Sequence, residues 1–422
     1  MARYMVTPGL AEVLYLFHSN GKLFMSMFTA VEMAPRDPIL GLNEQFNADS
    51  NPSKVNLGVG VYYDDSGKLP LLQCVRAAEK TMANAPTARG YLPIDGIAAY
   101  DAAVKSLVFG ADSEAVKSAR VATIQAIGGT GGLKVGADFL KRLNPNAKVM
   151  ISDPSWENHR ALFTNAGFEV QTYPYYDAAK RGINFEGMLA GIKAAAPGTV
   201  VVLHACCHNP TGYDITAAQW DQVIAAVKSG NLVAFLDMAY QGFGHGIAED
   251  GAVIGKFVAA GLNFFVSTSF SKSFSLYGER VGALSVLCQS KEEADRVLSQ
   301  LKIAIRTNYS NPPIHGGAVV AAVLNTPELR TLWETELAEM RVRIKQMRTL
   351  LVDKLKAAGV KQDMSFITTQ IGMFSYSGLT KDQMVRLRSE FGVYGTDTGR
   401  MCVAALNSKN IDYVCAAIAK VM

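Results

Sequence analysis

The sequence predicts an α/β fold: a large, mainly parallel sheet covered by helices, joined to a smaller α+β domain. Three observations lead there. Between about residues 70 and 340, short apolar β-rich runs alternate with longer helical stretches, the pattern of parallel strands linked by crossover helices. After Pro327 the pattern changes to a long charged helical stretch and then to short strand-like pieces. The chain has 422 residues, 49% hydrophobic and only 18% charged, which exceeds the usual size of one domain and can bury a large core.

The expected strands are Val121–Ile127, Ala147–Ser152, Val200–His204, Val233–Asp237, Phe264–Ser269 and Gly282–Leu287. Between them, Gly132–Leu143, Thr216–Ser229 and Lys291–Arg306 carry apolar residues at three- and four-residue spacing and are expected to be helices. The second domain takes the helical stretch through Leu355 and strand-like pieces at Gly372–Tyr376 and Met401–Ala405. The segment Val55–Tyr63 is also strand-like and is assigned to it. The expected division is a leader over residues 1–27, an arm and part of the small domain over 28–69, a large domain over 70–339 and the rest of the small domain over 340–422.

The leader contains an apolar stretch, Leu10–Phe17, but Glu12 interrupts it, Arg3 alone supplies a basic region, and no small-residue cleavage pattern follows. It reads as a disordered arm or an over-extended start ahead of Met25 and Met27, and not as a signal sequence. Elsewhere no segment approaches the roughly 18 to 20 apolar residues needed to span a bilayer. Lys and Arg total 41 against 37 Asp and Glu, a net charge of +4 too slight and dispersed for nucleic-acid binding. Six Cys without regular spacing make no disulfide framework. A cytoplasmic protein whose anionic partners are small fits these facts.

Residues at strand-to-loop transitions are the first candidates for chemistry, because ligands of open α/β sheets sit beyond the carboxyl ends of the strands. Gly128-Gly129-Thr130-Gly131-Gly132 follows a strand and opens a helix, offering N–H groups and a positive helix end to a phosphate. Its spacing matches neither the dinucleotide fingerprint nor the P-loop. Ser269-Phe270-Ser271-Lys272 ends another strand, where a desolvated lysine can form a Schiff base, with Ser269, Ser271 and Arg280 as phosphate donors. Asp237 ends a third strand, with Tyr240 three residues on, and a buried acid there calls for a cationic partner such as a protonated pyridine nitrogen. Asn209-Pro210-Thr211-Gly212 is a turn that can present Asn209 to an oxygen.

His204, Cys206, Cys207 and His208 look at first like metal ligands. On an extended segment, however, Cys206 and Cys207 point to opposite faces, and no second pair completes a tetrahedral set. Buried strand residues are the expected role, and no metal is assigned.

Taken in order, these elements resemble the fold-type I pyridoxal-5′-phosphate (PLP) aminotransferases of class I, in the aspartate and aromatic subgroup. The resemblance runs from about Phe28 to Met422 and rests on Val55–Tyr62, Tyr91–Gly96, Pro154-Ser155-Trp156, Cys206–Gly212, Asp237–Phe243, Ser269–Gly282, Asn308–Pro313 and Gly399-Arg400. It implies that Lys272 holds the cofactor as a Schiff base and later shuttles the substrate proton. It implies further that Asp237 pairs with the pyridine nitrogen, Tyr240 and Asn209 bond the phenolic oxygen, and Trp156 stacks on the ring. Gly129, Thr130, Ser269, Ser271 and Arg280 would hold the phosphate, with Tyr91 reaching it from the second subunit of a homodimer. Arg400 would clamp the substrate α-carboxylate and Arg306 a distal carboxylate across the dimer interface, while Gly60 and Phe374 line the substrate pocket.

Within the subgroup, Tyr62-Tyr63, Leu69-Pro70 and Phe391-Gly392-Val393-Tyr394 read closest to bacterial aromatic amino acid (tyrosine) aminotransferases, although Gly90 and Asn311 depart from that pattern. The implied activity is transamination between aromatic or dicarboxylic amino acids and 2-oxo acids, the alternative being an enzyme largely restricted to aspartate and 2-oxoglutarate. A nucleotide-binding oxidoreductase would leave Lys272, Asp237 and the two arginines without work. A silent paralogue would not need Lys272.

Overall fold

Burial decides which apolar runs become strands. In chain order they are β1 (Val55–Asn56), β2 (Val121–Ile127), β3 (Lys148–Asp153), β4 (Glu169–Pro174), β5 (Tyr176–Asp177), β6 (Gly182–Ile183), β7 (Val200–His204), β8 (Val233–Met238), β9 (Phe264–Ser269), β10 (Val281–Leu287), β11 (Phe374–Tyr376), β12 (Val393–Tyr394) and β13 (Arg400–Cys402). The computed structural model describes residues 26–422, and seven of these strands form one sheet in the order β2-β10-β9-β8-β7-β3-β4. All neighbours pair in parallel except at β10, which runs antiparallel to both β2 and β9.

Helices cover both faces of the sheet, so its inner strands are apolar on both sides. Alternation along β7 sends Val201 and Leu203 into one core cluster and Val200 and Val202 into the other. The strands and helices expected for the large sheet are present, whereas the expected strand-like piece Met401–Ala405 is a strand only as far as Cys402, within β13, and turns into a 3-10 helix over Val403–Ala405. The helix Gly128–Leu143 begins directly at the end of β2, earlier than the periodicity suggested, and Thr216 caps the helix Ala217–Ser229 in a capping box with Gln219.

Two small sheets pair β1 with β12 and β11 with β13. Here the expectation of a strand over residues 55–63 is corrected: only Val55 and Asn56 pair as a strand, against Val393 and Tyr394. Beyond them the chain makes single bonds to different partners, Leu57 O accepting from Cys402 N at 2.8 Å and Tyr63 N donating to Ala404 O at 3.1 Å. A tight turn in which Val61 N donates to Val59 O at 2.9 Å breaks the ladder between them. The expected boundary at residues 339 and 340 falls inside one 31-residue helix, Pro327–Ala357.

Residues Pro38–Met422 form one unit that holds all four sheets described, and the described residues up to Asp37 belong to another. The described part of the latter contains a turn in which Thr29 N and Val31 N donate to Ser26 O and Phe28 O, each at 3.0 Å. Apart from Ser26 and Met27, the expected leader lies outside the described residues. Among the described residues no helix is long and apolar enough to cross a membrane.

Candidate active site

Loops after β2, β3, β7, β8 and β9 converge at the carboxyl edge of the large sheet around a cavity of about 370 Å³. Because β10 is reversed, it begins at this same edge and brings Arg280, the residue before it, to the rim. Gly128 has a φ of +66°, and Arg280 packs directly against its α-carbon, so this turn requires glycine. Arg280 Nη1 donates to Tyr277 O at 3.1 Å and to Ser271 Oγ at 3.4 Å, and Ser269 Oγ accepts from Ser271 N at 3.3 Å. With the N-terminal turn of Gly128–Leu143, these groups form an anion cradle.

Lys272 faces the cavity with its Nζ 4.8 Å from the centre of the Tyr240 ring. Among the described residues its amine has no hydrogen bond or ion pair. Burial pulls its pKa down to about 8, Asp237 opposes that pull, and Arg280 reinforces it.

Asp237 and His204 are register partners across β7 and β8. Asp237 Oδ2 is 2.9 Å from His159 Nε2, and His159 Nδ1 is 2.9 Å from Ser155 Oγ. Burial pushes the Asp237 carboxyl up, but the His159 hydrogen bond, helped by the nearby Lys272 amine, outweighs it and holds the group below the usual carboxylate range. His204 lies between His159 and His208, at ring separations of 5.0 and 4.3 Å, and burial first, then His159, lowers its pKa to about 3. It is a neutral spacer.

Arg400 is 1% exposed on the opposite side of the cavity. Its Nη2 donates to Gly58 O at 2.6 Å and its Nη1 to Asn209 Oδ1 at 3.1 Å, while its guanidinium lies 4.4 Å from the centre of the Phe374 ring. A Cβ on Gly60 would come within 2.7 Å of Phe374 Cζ, so glycine keeps this wall open.

The cavity gathers Gly60, Gly129, Thr130, Trp156, Asn209, Asp237, Tyr240, Ser269, Ser271, Lys272, Arg280, Phe374 and Arg400 from the residues expected at the site. Tyr91 and Arg306 are not part of it: Tyr91 is 94% exposed, and exposed Arg306 donates to Ser310 Oγ. Sequence reasoning missed His159 and Glu157. His159 stands three residues after Trp156, which places both on one side of the first turn of the helix Glu157–Asn165, and that spacing was its only signal.

The reading of Cys206 and Cys207 needs correction. They lie in the bend after β7 and not on the strand, and Cys207 has a φ of +52°, so the chain is not extended there. Their sulfurs and an Asp250 oxygen all lie within 4.8 Å of one another. Asp250 is already committed, accepting from Gly242 N and His245 N at 2.8 Å and from Gly244 N at 2.9 Å, and the cluster acts as a loop anchor.

The family model described as aminotransferase class I and II matches residues 52–418. An aspartate aminotransferase of Pseudomonas aeruginosa is 62% identical over 94% of this chain and all of its own length. An aromatic-amino-acid aminotransferase of Escherichia coli is 51% identical, with the same shares covered. Among solved structures, an aromatic-amino-acid aminotransferase of Burkholderia pseudomallei, covalently bound to pyridoxal phosphate, superposes with a TM-score of 0.91 at 66% identity, covering 94% of this chain and 100% of that one.

Proposed function

The chain belongs to the class I and II aminotransferases and is a PLP-dependent transaminase, and on that premise we propose that it moves amino groups between aromatic or dicarboxylic amino acids and 2-oxo acids, 2-oxoglutarate foremost. The observation that carries this is an unpartnered amine, Lys272, facing a cavity with an ionised carboxylate beside it and a buried guanidinium, Arg400, opposite.

The residues present fit the cofactor. Arg280, Ser269, Ser271, Gly129 and Thr130 suit a phosphate, Asp237 suits a protonated ring nitrogen, and Tyr240 and Asn209 suit a phenolic oxygen. Bound pyridoxal phosphate supplies the electron sink that stabilises negative charge at the substrate α-carbon. Lys272 Nζ takes and returns the α-carbon proton, which its lowered pKa favours near neutral pH. Asp237 keeps its charge through His159 and Ser155, and Trp156 covers one side of the cavity. Arg400 offers its planar fork to the α-carboxylate.

We further propose a cytoplasmic homodimer in which Tyr91 and Arg306 serve the site of the other subunit. Support comes from the exposure of both residues in the single chain and from six free cysteines, all buried. The aspartate-restricted alternative has the 62% identical relative on its side.

Mixing the purified enzyme with phenylalanine or aspartate and 2-oxoglutarate should yield glutamate. No glutamate from either amino acid overturns the proposal, and glutamate from aspartate alone favours the restricted reading. Arg306→Leu should lower kcat/KM for aspartate by roughly 10²- to 10⁴-fold, since it removes both charge-assisted hydrogen bonds of a bidentate pair, each worth about 1.5 to 3 kcal/mol, and should barely affect phenylalanine. Arg400→Leu should impair both amino acids. Half-reactions measured separately decide this, because equal losses in Arg306→Leu remove its assignment to the distal carboxylate.

A further inference from the structure

Arg400 has one ion-pair partner among the described residues, Glu157, whose Oε2 lies 3.9 Å from its Nη1. That oxygen is buried and accepts no hydrogen bond, and Arg400 Nε is likewise buried without a partner. At this separation the two groups do not hydrogen-bond but still attract each other. Glu157 is the first residue of the helix Glu157–Asn165, directly after Trp156, so its backbone position is fixed by the same turn that supplies the cavity wall.

We propose that Glu157 is a built-in rival of the substrate α-carboxylate, balancing Arg400 before substrate binds and weakening the grip of Arg400 on any carboxylate that enters. This rests on the reading of Arg400 as the carboxylate clamp. When a second anion arrives, two carboxylates share one guanidinium, and their repulsion cancels part of the attraction. Substrate and product both carry the same carboxylate, an amino acid on one side and a 2-oxo acid on the other. Uniform weakening therefore raises KM without slowing chemistry, and it speeds release. Glu157 is thus a positioning residue and not a catalytic one.

A purely structural role also exists, since an acidic residue in the first turn stabilises a helix N-terminus. The test separates the two. In the holoenzyme, Glu157→Gln keeps size and removes charge, and dissociation constants are measured for 3-phenylpropionate, with one carboxylate, and maleate, with two. Both should fall by roughly three- to tenfold, the range expected for a partly exposed charge pair near 4 Å. KM for phenylalanine and aspartate should fall alongside, with kcat no higher, and Glu157→Asp, which keeps the charge, should stay nearer the wild type.

Unchanged or weaker 3-phenylpropionate binding with a lowered melting temperature overturns the proposal in favour of a helix-end role. A change confined to maleate overturns it too, because it places Glu157 against a cation for the distal carboxylate. If Arg400→Leu loses both ligands while Glu157→Gln binds as wild type does, Glu157 alone is misassigned. If Arg400→Leu binds both ligands normally, the clamp itself is wrong.

Discussion

Lys272→Ala should fold, hold pyridoxal phosphate noncovalently and turn over more than roughly 10⁴-fold more slowly than the wild type. Two contributions vanish together: the nucleophilic amine, and general acid–base transfer at the α-carbon, which alone is typically worth about 10² to 10⁴. Folding is spared because, among the described residues, the amine makes no hydrogen bond or ion pair that alanine would break; its charged form is disfavoured by burial and by Arg280. The phosphate cradle from Gly128 to Arg280 is untouched. Single-turnover measurements with glutamate, together with borohydride treatment and peptide mapping, check this. Near-normal transamination, or a reducible link that persists in the variant, would remove Lys272 from its role.

Asp237→Ala should slow the amino-acid half-reaction by roughly 10²- to 10³-fold, the usual loss when a preorganised charge facing the reacting system is removed. Here stability should fall as well. His159 is buried and directs Nε2 at Asp237 while Ser155 holds Nδ1, so alanine leaves a buried ring nitrogen without its partner, at a cost of about 1 to 3 kcal/mol. Asp237→Asn separates the effects, because it retains an acceptor for His159 and loses the charge. It should melt near the wild type yet remain slow. A fall of less than tenfold in Asp237→Asn would mean that the charge is not needed.

Strands buried on both faces were legible because each is a largely apolar run ending at, or directly followed by, a polar or small residue: Val121–Ile127 before Gly128, Val200–His204 and Phe264–Ser269 have those bounds in the structure. The edge strand Glu169–Pro174 was invisible, since only Tyr173 of its six residues is buried and its exposed Glu, Gln and Thr break any apolar pattern. Residues 57–63 looked like a strand because their composition is apolar, but Leu57 and Tyr62 pack into the core and Val59, Gly60 and Val61 line the cavity. Most cavity residues were legible because they sit at the ends of those readable strands. His159 and Glu157 were not, since their work depends on facing Asp237 and Arg400, 78 and 243 positions away, and no local pattern records such meetings. The proximity of the Cys206 and Cys207 sulfurs was hidden for a different reason, a left-handed backbone at a residue other than glycine.

The reversed strand β10 also bears on the order in which the site is assembled. Ser269 and Gly282 are cross-strand neighbours in one hairpin, so Lys272 and Arg280 are brought together by a short loop. Arg400, by contrast, meets Asn209 and Gly58 across sequence separations of 191 and 342 residues. Loop-closure entropy rises by about 0.6 kcal/mol per doubling of length, and contacts between distant segments slow folding. The Ser269–Arg280 side of the phosphate end is therefore a local structure that forms with its hairpin, while the Gly128 turn and the carboxylate end wait for distant segments to close.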